Sequence, residues 1–334
     1  RRRRQRQMCI RDSANTTADD NTGIGYGALT DNTTGFYNVA VGKDALANNT
    51  TANANVAIGY KALEDNTTTN IHVAVGHEAL KENTTGSNQV AVGGYALKVN
   101  TTGTQNTGVG YFALGANTTG DGNTALGYQS LDANTTGDNN TGLGYQALSA
   151  NTTGSINVAV GYLALASNTT ASSNVAVGNE ALETNTTGSS NTALGDEAME
   201  FNTTGSSNVA VGNDALYSNT TASFNTAVGA NALNSNTTAS YNTALGYQAG
   251  FTNTTGAQYV FIGYRAGYQS IGAANGSVAV GYEALYASGG PQRNVALGTQ
   301  ALYDTTNYGD NNVGVGYRSL FENTTGSDNV AMGY

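Results

Sequence analysis

The sequence has no tryptophan, one proline and one cysteine among its 334 residues. A single thiol, Cys9, cannot form a disulfide within one chain, so disulfides do not hold this fold together. That fits an extracellular protein that needs no disulfides, although it excludes no compartment. No apolar run approaches the ~20 residues that a membrane-spanning helix needs, so we expect no direct membrane insertion.

Positive charge is also scarce, with 13 Lys and Arg against 23 Asp and Glu and a net charge of −10. Six of those basic residues lie within residues 1–13, so the rest of the chain is still more acidic. An acidic surface repels nucleic acid and anionic membranes. Without tryptophan and with little Lys or Arg, the aromatic and basic surface typical of nucleic-acid binding is missing, and we predict no nucleic-acid partner.

The two ends of the chain differ from its middle. Residues 1–13, RRRRQRQMCIRDS, are basic and of low complexity, and MCIRDS is what read-through of a transposon sequencing adapter encodes. We interpret residues 1–13 as an assembly scar, with a disordered basic arm as the alternative, and exclude them from fold reasoning. The other end stops part-way through a repeat, so we expect the domain over residues 14–334 to be truncated there.

What the sequence does contain is a repeat. The triplet Asn-Thr-Thr begins at Asn15 and returns at every seventeenth residue through Asn253, and a further copy begins at Asn323. The unit is N-T-T-G-S-x-N-V-A-V-G-Y-x-A-L-x-x, whose residues we number as positions 1 to 17. A fixed period of this length is typical of a solenoid, in which each repeat is one structural coil.

The unit has a strand and a turn. Position 8 is always Val or Thr and position 10 is always aliphatic, with small residues at position 9 and Gly at position 11. Alternation of period two with β-branched residues predicts a strand, although it does not say which side faces inward. Positions 1–6 predict a turn. Positions 12–17 allow a second short strand or one helical turn, and in either case the alanine of position 14 and the leucine of position 15 face inward.

Seventeen residues cannot bury their own apolar face, but stacked copies can. The sequence therefore predicts an all-β fold, a parallel β-solenoid or β-roll of about nineteen 17-residue coils in a single repeat domain. Two one-residue insertions and the only proline, Pro291, fall in the position 1–6 turn. Because insertions and proline are tolerated where backbone is exposed, we expect this turn to be an outer corner.

Asparagine at position 7 predicts a structural ladder, because side-chain amides in register hydrogen-bond along a stack of coils. His72 and Gln89 occupy this position in two coils and are expected to interrupt the ladder only mildly. The predicted members are Asn38, Asn55, Asn106, Asn123, Asn140, Asn157, Asn174, Asn191 and Asn208.

Asparagine at position 1 has two interpretations. It forms either a second Asn and Thr ladder that holds the turn or, because N-T-T matches the acceptor pattern N-x-[ST], a row of N-linked glycans on an exposed corner. The candidate glycosylation residues are Asn32, Asn49, Asn66, Asn83, Asn100, Asn117, Asn134, Asn151, Asn168, Asn185, Asn202, Asn219, Asn236, Asn253 and Asn323.

Two further columns have functional and structural interpretations. Threonine at positions 2 and 3 suggests an ice-binding array, but adjacent threonines place only one per coil on a given side. Tyrosine at position 12 forms a partial stripe that either stacks on sugars or shields neighbouring backbone, and packing is the more common role.

Signals of catalysis are absent from the pattern. His72 and His77 lie at different positions of the unit and pair with nothing evident. No acid is fixed at one position from coil to coil, as a catalytic carboxylate pair or a repeated calcium loop would need. We therefore predict no catalytic residue, no cofactor, no metal site and no enzymatic activity.

The units VAVGYEAL and NTALGYQ, with their recurring VAVG, TAVG and VAIG, resemble the head repeats of trimeric autotransporter adhesins. They are also similar to repeat arrays of bacterial surface and phage tail-fibre-like proteins. The resemblance implies a parallel β-roll, often trimeric, that projects from a surface and binds a host or matrix.

From these observations we predict a non-enzymatic structural fibre or adhesin shaft, extracellular or on the cell surface, with or without glycans at the Asn-Thr-Thr turn. The alternatives are a phage tail-fibre receptor-binding shaft and an ice-binding β-solenoid. We expect self-association into a trimer or filament, with small residues at position 9 letting a second chain pack closely. Glycans or a host surface are the other expected partners.

Overall fold

The computed structural model describes residues 17–270, 276–288, 293–305 and 309–334. The adapter-like residues 1–13 and Pro291 therefore lie outside the described residues. The described chain is an all-β parallel solenoid of about 18 turns, each about 17 residues from the next, and it contains no helix. The predicted fold class is confirmed, and the helical-turn alternative for positions 12–17 is wrong. With no helix described, none can serve as a membrane span.

The chain divides into two compact units, Arg1–Tyr162 and Leu163–Tyr334. In the first unit, nine three-residue strands each pair in parallel with the next. They are β1 (Thr22–Ile24), β2 (Val39–Val41), β3 (Val56–Ile58), β4 (Val73–Val75), β5 (Val90–Val92), β6 (Thr107–Val109), β7 (Thr124–Leu126), β8 (Thr141–Leu143) and β9 (Val158–Val160).

The second unit repeats this arrangement with a second, smaller parallel sheet near its end. Its main strands are β10 (Val175–Val177), β11 (Thr192–Leu194), β12 (Val209–Val211), β13 (Thr226–Val228), β14 (Thr243–Leu245), β15 (Val260–Ile262), β17 (Val278–Val280), β19 (Val295–Leu297), β21 (Val313–Val315) and β22 (Val330–Met332). The smaller sheet consists of β16 (Gln269–Ser270), β18 (Ala287–Ser288) and β20 (Asp304–Thr305). These short strands cover position 17 and position 1 of the next unit, so of positions 12–17 only the last residue lies in a second strand.

The strands are in register at constant unit position. Val41 pairs with Ile58, and Ile58 pairs with Val75, so position 10 forms one continuous column in the first unit. The equivalent side chains therefore lie directly above one another, as the strict 17-residue period predicts.

The structure decides which side of the strand faces inward. Ala40, Ala57 and Ala74 at position 9 are completely buried, whereas positions 8 and 10 are half-buried or exposed. The coil encloses a narrow interior, so position 9 carries a small side chain in every coil except that of Phe261. The expectation that small residues at position 9 let a second chain approach is therefore wrong.

Positions 12–17 form a turn built on left-handed residues. Asp44 at position 13 has φ 56° and Leu46 at position 15 has φ 51°, and equivalent residues repeat these angles along the chain. Left-handed φ costs a non-glycine residue roughly 1–2 kcal/mol. Burying Leu46 completely yields roughly 1.5–3 kcal/mol, which offsets that cost. The predicted inward orientation of Ala45 and Leu46 is confirmed, since both are fully buried.

Glycine at position 11 is required by close approach of successive coils. Gly42 has φ 138°, and a β-carbon there would collide with the carbonyl oxygen of Gly59 in the next coil. Both the left-handed backbone and the lack of space exclude a side chain.

Candidate functional site

The position 7 asparagines form a buried ladder, as predicted. The backbone N–H of Asn140 donates to Oδ1 of Asn123 at 2.9 Å, and Nδ2 of Asn140 donates to the carbonyl of Gly154 at 2.8 Å. Each amide thus ties its own coil to its neighbours in the stack. All nine predicted members, from Asn38 to Asn208, are fully buried, so this ladder is structural and offers no ligand site.

His72 continues this ladder with an imidazole. Its backbone N–H donates to Oδ1 of Asn55 at 3.0 Å, and its Nδ1 accepts from the backbone N–H of Gln89 at 3.3 Å. An accepting Nδ1 requires the neutral ring with its proton on Nε2, which lies 2.9 Å from Oγ1 of Thr69. Burial lowers the pKa of His72 to about 4, which keeps the ring neutral at physiological pH.

The position 1 asparagines are also interior, which contradicts the expectation of an exposed corner. Nδ2 of Asn134 donates to Oδ1 of Asn117 at 2.8 Å and to the carbonyl of Gly137 at 3.0 Å. The turn curls so that each side chain satisfies the carbonyl three residues ahead.

The candidate glycosylation residues therefore line the inside of the coils. All from Asn49 to Asn253 in that column are 0% exposed, and Asn32 is 2% exposed. Asn323 is half-buried and donates to the carbonyl of Gly326 at 2.9 Å. A glycan on a fully buried amide nitrogen has no space in this fold, so the second-ladder interpretation holds for the buried members.

The two adjacent threonines of the turn have different environments, as expected for neighbouring residues whose side chains point to different sides. At position 2, Oγ1 of Thr118 donates to the carbonyl of Thr135 at 3.0 Å and so links successive coils. At position 3, Thr119 and Thr136 are exposed. The exposed threonines therefore form a single column rather than the two-column array expected of a flat ice-binding surface.

Positions 8 and 10 of the strands form what we call the outer strand face. It carries only Val or Thr in one column and aliphatic side chains in the other. Leu126 is 50% exposed, Leu194 is 47% exposed and Ile58 is 39% exposed, although large aliphatic side chains are normally buried. The register that stacks the strands thus also builds an apolar stripe on the surface of each unit.

The tyrosines of position 12 stack on one another. The distances between successive ring centroids are 5.6, 5.4 and 5.4 Å, and the ring planes lie within 15° of parallel, along Tyr111, Tyr128, Tyr145 and Tyr162. Neighbouring rings lie against both faces of the interior members Tyr128 and Tyr145. A sugar needs an open ring face, so this stacking favours the packing interpretation for the interior members.

A second aromatic column at position 16 was missed by the sequence analysis. Its centroid spacings are 4.9 to 5.3 Å, and its members are Phe251, Tyr268, Tyr286, Tyr303 and Phe321. The guanidinium of Arg265 lies 5.2 Å from the ring centre of Tyr264 and 5.1 Å from that of Tyr268, so it bridges the two aromatic columns. An aromatic residue at position 16 of five consecutive coils was the sequence pattern that could have predicted this column.

No acid is fixed at one position along the whole repeat, but one short run of coils brings acids together. Glu180, Glu197 and Asp214 occupy position 13 in three consecutive coils, and ligand atoms of Glu180, Glu197 and Glu200 lie within 4.8 Å of one another. Burial raises the pKa of Glu197, and the charges of Asp214 and other neighbouring acids raise it further. Such a group of carboxylates attracts hard cations, but exposed acidic groups of this kind are common without one.

Comparison of the chain with models of known protein families and with curated protein sequences finds no match. The resemblance to autotransporter head repeats and tail-fibre arrays therefore depends on the repeat residues alone.

Proposed function

We propose that this chain is a non-enzymatic structural shaft of an extracellular fibre or adhesin, and that it associates with further copies through the outer strand face. The observation that carries this proposal is the uninterrupted pair of Val/Thr and aliphatic columns at positions 8 and 10. Soluble monomers rarely expose contiguous apolar patches larger than a few hundred Å². An apolar stripe repeated in every coil is typical of a surface that is covered in the assembled state.

The distribution of charge supports association through this face. The chain carries a net charge of −10, which opposes contact between copies. The two columns of the outer strand face contain no charged residue, because the acids occupy other positions of the unit. Copies that meet through this face gain apolar burial with the least electrostatic repulsion.

The interior supports a structural role. The amides of both asparagine ladders are engaged in bonds that tie one coil to the next, as shown by Asn134 and Asn140. Because these buried polar groups bond to other groups of the same chain, they stiffen the stack of coils and are not available for a reaction. A phage tail-fibre shaft is the alternative within the same structural class.

Analytical ultracentrifugation over a range of concentrations tests the proposal. We compare the wild-type chain with a variant of the outer strand face that carries Val41→Glu, Ile58→Glu and Val75→Glu. The matched control carries three glutamates on exposed threonines of the same coils, Thr34→Glu, Thr51→Glu and Thr68→Glu. Both variants add the same charge, so only the surface differs.

We expect the wild type and the control to form the same oligomer and the outer-face variant to be monomeric, with unchanged circular dichroism. Association would bury the substituted columns, and buried unpaired charges are costly. A wild-type chain that stays monomeric at its highest soluble concentration, or an outer-face variant that associates as well as the control, overturns the proposed interface.

Ice binding is the second candidate, favoured by one feature of the outer strand face. In β6, β7 and β8 the position 8 residues are Thr107, Thr124 and Thr141, which alternate with aliphatic residues in register. A flat, regular surface of methyl and hydroxyl groups is the kind that orders water. Measurable thermal hysteresis that disappears in a variant carrying Thr107→Glu, Thr124→Glu and Thr141→Glu would favour this candidate over the shaft.

A further inference from the structure

A surface groove of about 480 Å³ lies in the first unit, where position 16 holds Lys98, Gly115 and Asp132 in three consecutive coils. Gly115 contributes no side chain, and Val99 and Ala116 at position 17 add apolar lining. Its volume lies within the range of small-molecule sites.

One wall of the groove is the ring of Phe112. This ring leans over Gly115, since a β-carbon on Gly115 would come within 2.8 Å of Cδ1 of Phe112. The aromatic wall and the missing side chain are therefore coupled, because the ring occupies the space that any larger residue would need.

Phe112 is the last aromatic residue of the position 13 column. It stacks on Tyr95 with ring centres 4.7 Å apart, and the ring of Tyr111 lies nearly perpendicular to it with ring centres 4.8 Å apart. The next coil has Gln129 at the same unit position, and both residues line the groove. The aromatic stack ends at Phe112, whose ring contributes apolar surface to the groove.

The groove also contains a hydrogen-bond acceptor and hydrogen-bond donors. Asp132 is half-buried, burial raises the pKa of its carboxyl, and among the described residues no cation lies within ion-pair distance of it. Oε1 of Gln129 accepts a hydrogen bond from Nε2 of Gln146 at 3.1 Å, so Gln129 keeps its own N–H groups as donors. Lys98 is already paired with Glu78 at 2.8 Å.

The charges of the groove oppose an anionic ligand, because the carboxylates of Asp132 and Glu82 line it while the ammonium of Lys98 is already paired with Glu78. A ligand with an apolar face and several hydroxyls satisfies the ring, the carboxylate and the amide together. We propose that this groove binds a neutral saccharide unit of a glycan, with its carbon face on Phe112 and its hydroxyls hydrogen-bonded to Asp132 and Gln129. The groove uses positions 13, 16 and 17, so it is independent of the outer strand face and of the proposed association.

The test begins with an array of defined neutral, acidic and amine-bearing oligosaccharides, followed by calorimetric titration of the wild type with the neutral saccharides that bind. Two variants remove one wall each, Phe112→Ala and Asp132→Asn. Two matched controls, Tyr128→Ala and Asp138→Asn, remove a ring and a carboxylate outside the groove. Thermal unfolding of every variant verifies that it is folded.

We expect Phe112→Ala and Asp132→Asn each to weaken binding by about tenfold or more, since each removes one contact of a kind worth more than 1 kcal/mol. The two controls should bind as the wild type does. The proposal is overturned if no neutral saccharide binds, if acidic or amine-bearing probes bind in preference, or if the groove variants retain wild-type affinity. Because the asparagine substitution keeps the size of Asp132, it remains informative even where Phe112→Ala fails to fold.

Discussion

The ring of Phe261 lies where Gly250 would carry a side chain: a β-carbon on Gly250 would come within 2.8 Å of Cδ2 of Phe261. A β-carbon on Gly267, in the following coil, would also collide with this ring. Phe261 replaces the usual small residue of position 9, and the two glycines replace the usual leucine of position 15. One large side chain thus fills the interior space of two missing leucines, which preserves the packing density of the core.

This complementarity predicts non-additive effects of substitution. Phe261→Ala leaves a cavity and should lower the free energy of unfolding by about 3–5 kcal/mol. Gly267→Leu alone should also destabilise, because the leucine meets the ring. Combining Phe261→Ala with Gly250→Leu and Gly267→Leu restores the common pattern of the repeat and should recover most of the loss.

Denaturant unfolding of Phe261→Ala, of Gly267→Leu and of the triple variant measures these changes. The backbone of position 15 is left-handed whether the residue is leucine or glycine, with φ 51° at Leu46 and 63° at Gly250. The new leucines therefore adopt a conformation that leucine already has at this position in other coils. Purely additive losses in the triple variant would show that the three residues do not share one space.

The neutral ring of His72 predicts a dependence of stability on pH. Burial lowers its pKa to about 4 from the ordinary 6.5, so the unfolded chain binds the proton more tightly than the folded chain. Stability is therefore complete above pH 6.5 and is lost as the pH falls from 6.5 towards 4. A difference of this size corresponds to a loss of about 3 kcal/mol at the acid end.

The control for this prediction is His72→Asn, which restores the residue that other coils carry at position 7. The asparagine keeps an acceptor for the backbone N–H of Gln89 but does not titrate. Thermal unfolding of both chains between pH 4 and pH 7.5 should give curves that separate only below pH 6.5. Parallel curves over the whole range would mean that the pKa of His72 is the same in the folded and the unfolded chain.

The buried amides of position 1 predict a large cost for losing one of them. Asn134→Ala removes the donor to Oδ1 of Asn117 and to the carbonyl of Gly137, and it leaves both acceptors buried. We expect a loss of about 2 kcal/mol or more in the free energy of unfolding. Thr136→Ala, an exposed change in the same turn, should cost about 0.5 kcal/mol or less. Equal costs for the two variants would indicate that the side chain of Asn134 is not engaged in solution.

The acidic cluster of position 13 predicts a substitution that stabilises. Burial and neighbouring acids raise the pKa of Glu197, so the folded chain binds this proton more tightly than the unfolded chain. Stability should therefore rise as the pH falls through that raised pKa. Glu197→Gln should raise the unfolding midpoint at pH 7 by an amount equivalent to about 0.5 kcal/mol or less, and high salt should reduce the gain.

Glu64 offers a control of opposite sign. Its carboxylate pairs with Lys61 at 2.9 Å and with Lys81 at 3.9 Å, so Glu64→Gln should lower the midpoint slightly. Thermal unfolding at low and high salt compares the two variants directly. If both substitutions shift the midpoint in the same direction, charge interactions do not explain either effect.

Part of the candidate surface could not be predicted from the repeat pattern of the sequence. The groove at Gly115 depends on side chains from several coils, and the proximity of Glu180 to Glu200 joins different unit positions of neighbouring coils. Such neighbours are separated along the chain by roughly one period, and only the stacking geometry brings them together. The coupled exceptions Phe261, Gly250 and Gly267 were visible in the sequence, but their size relationship became evident only from the packing.

The sequence by itself determined the period, the strand at positions 8–10, the turn at positions 1–6 and the parallel stacking, because a strict repeat forces identical residues into register. It also determined the ladder of position 7, since amides in register hydrogen-bond along the stack. Only the tertiary structure decided that position 9 and the asparagines of position 1 point inward. Period-two alternation has the same appearance from either side of a strand, and an N-x-T triplet has the same letters whether its amide faces water or satisfies a carbonyl within the coil.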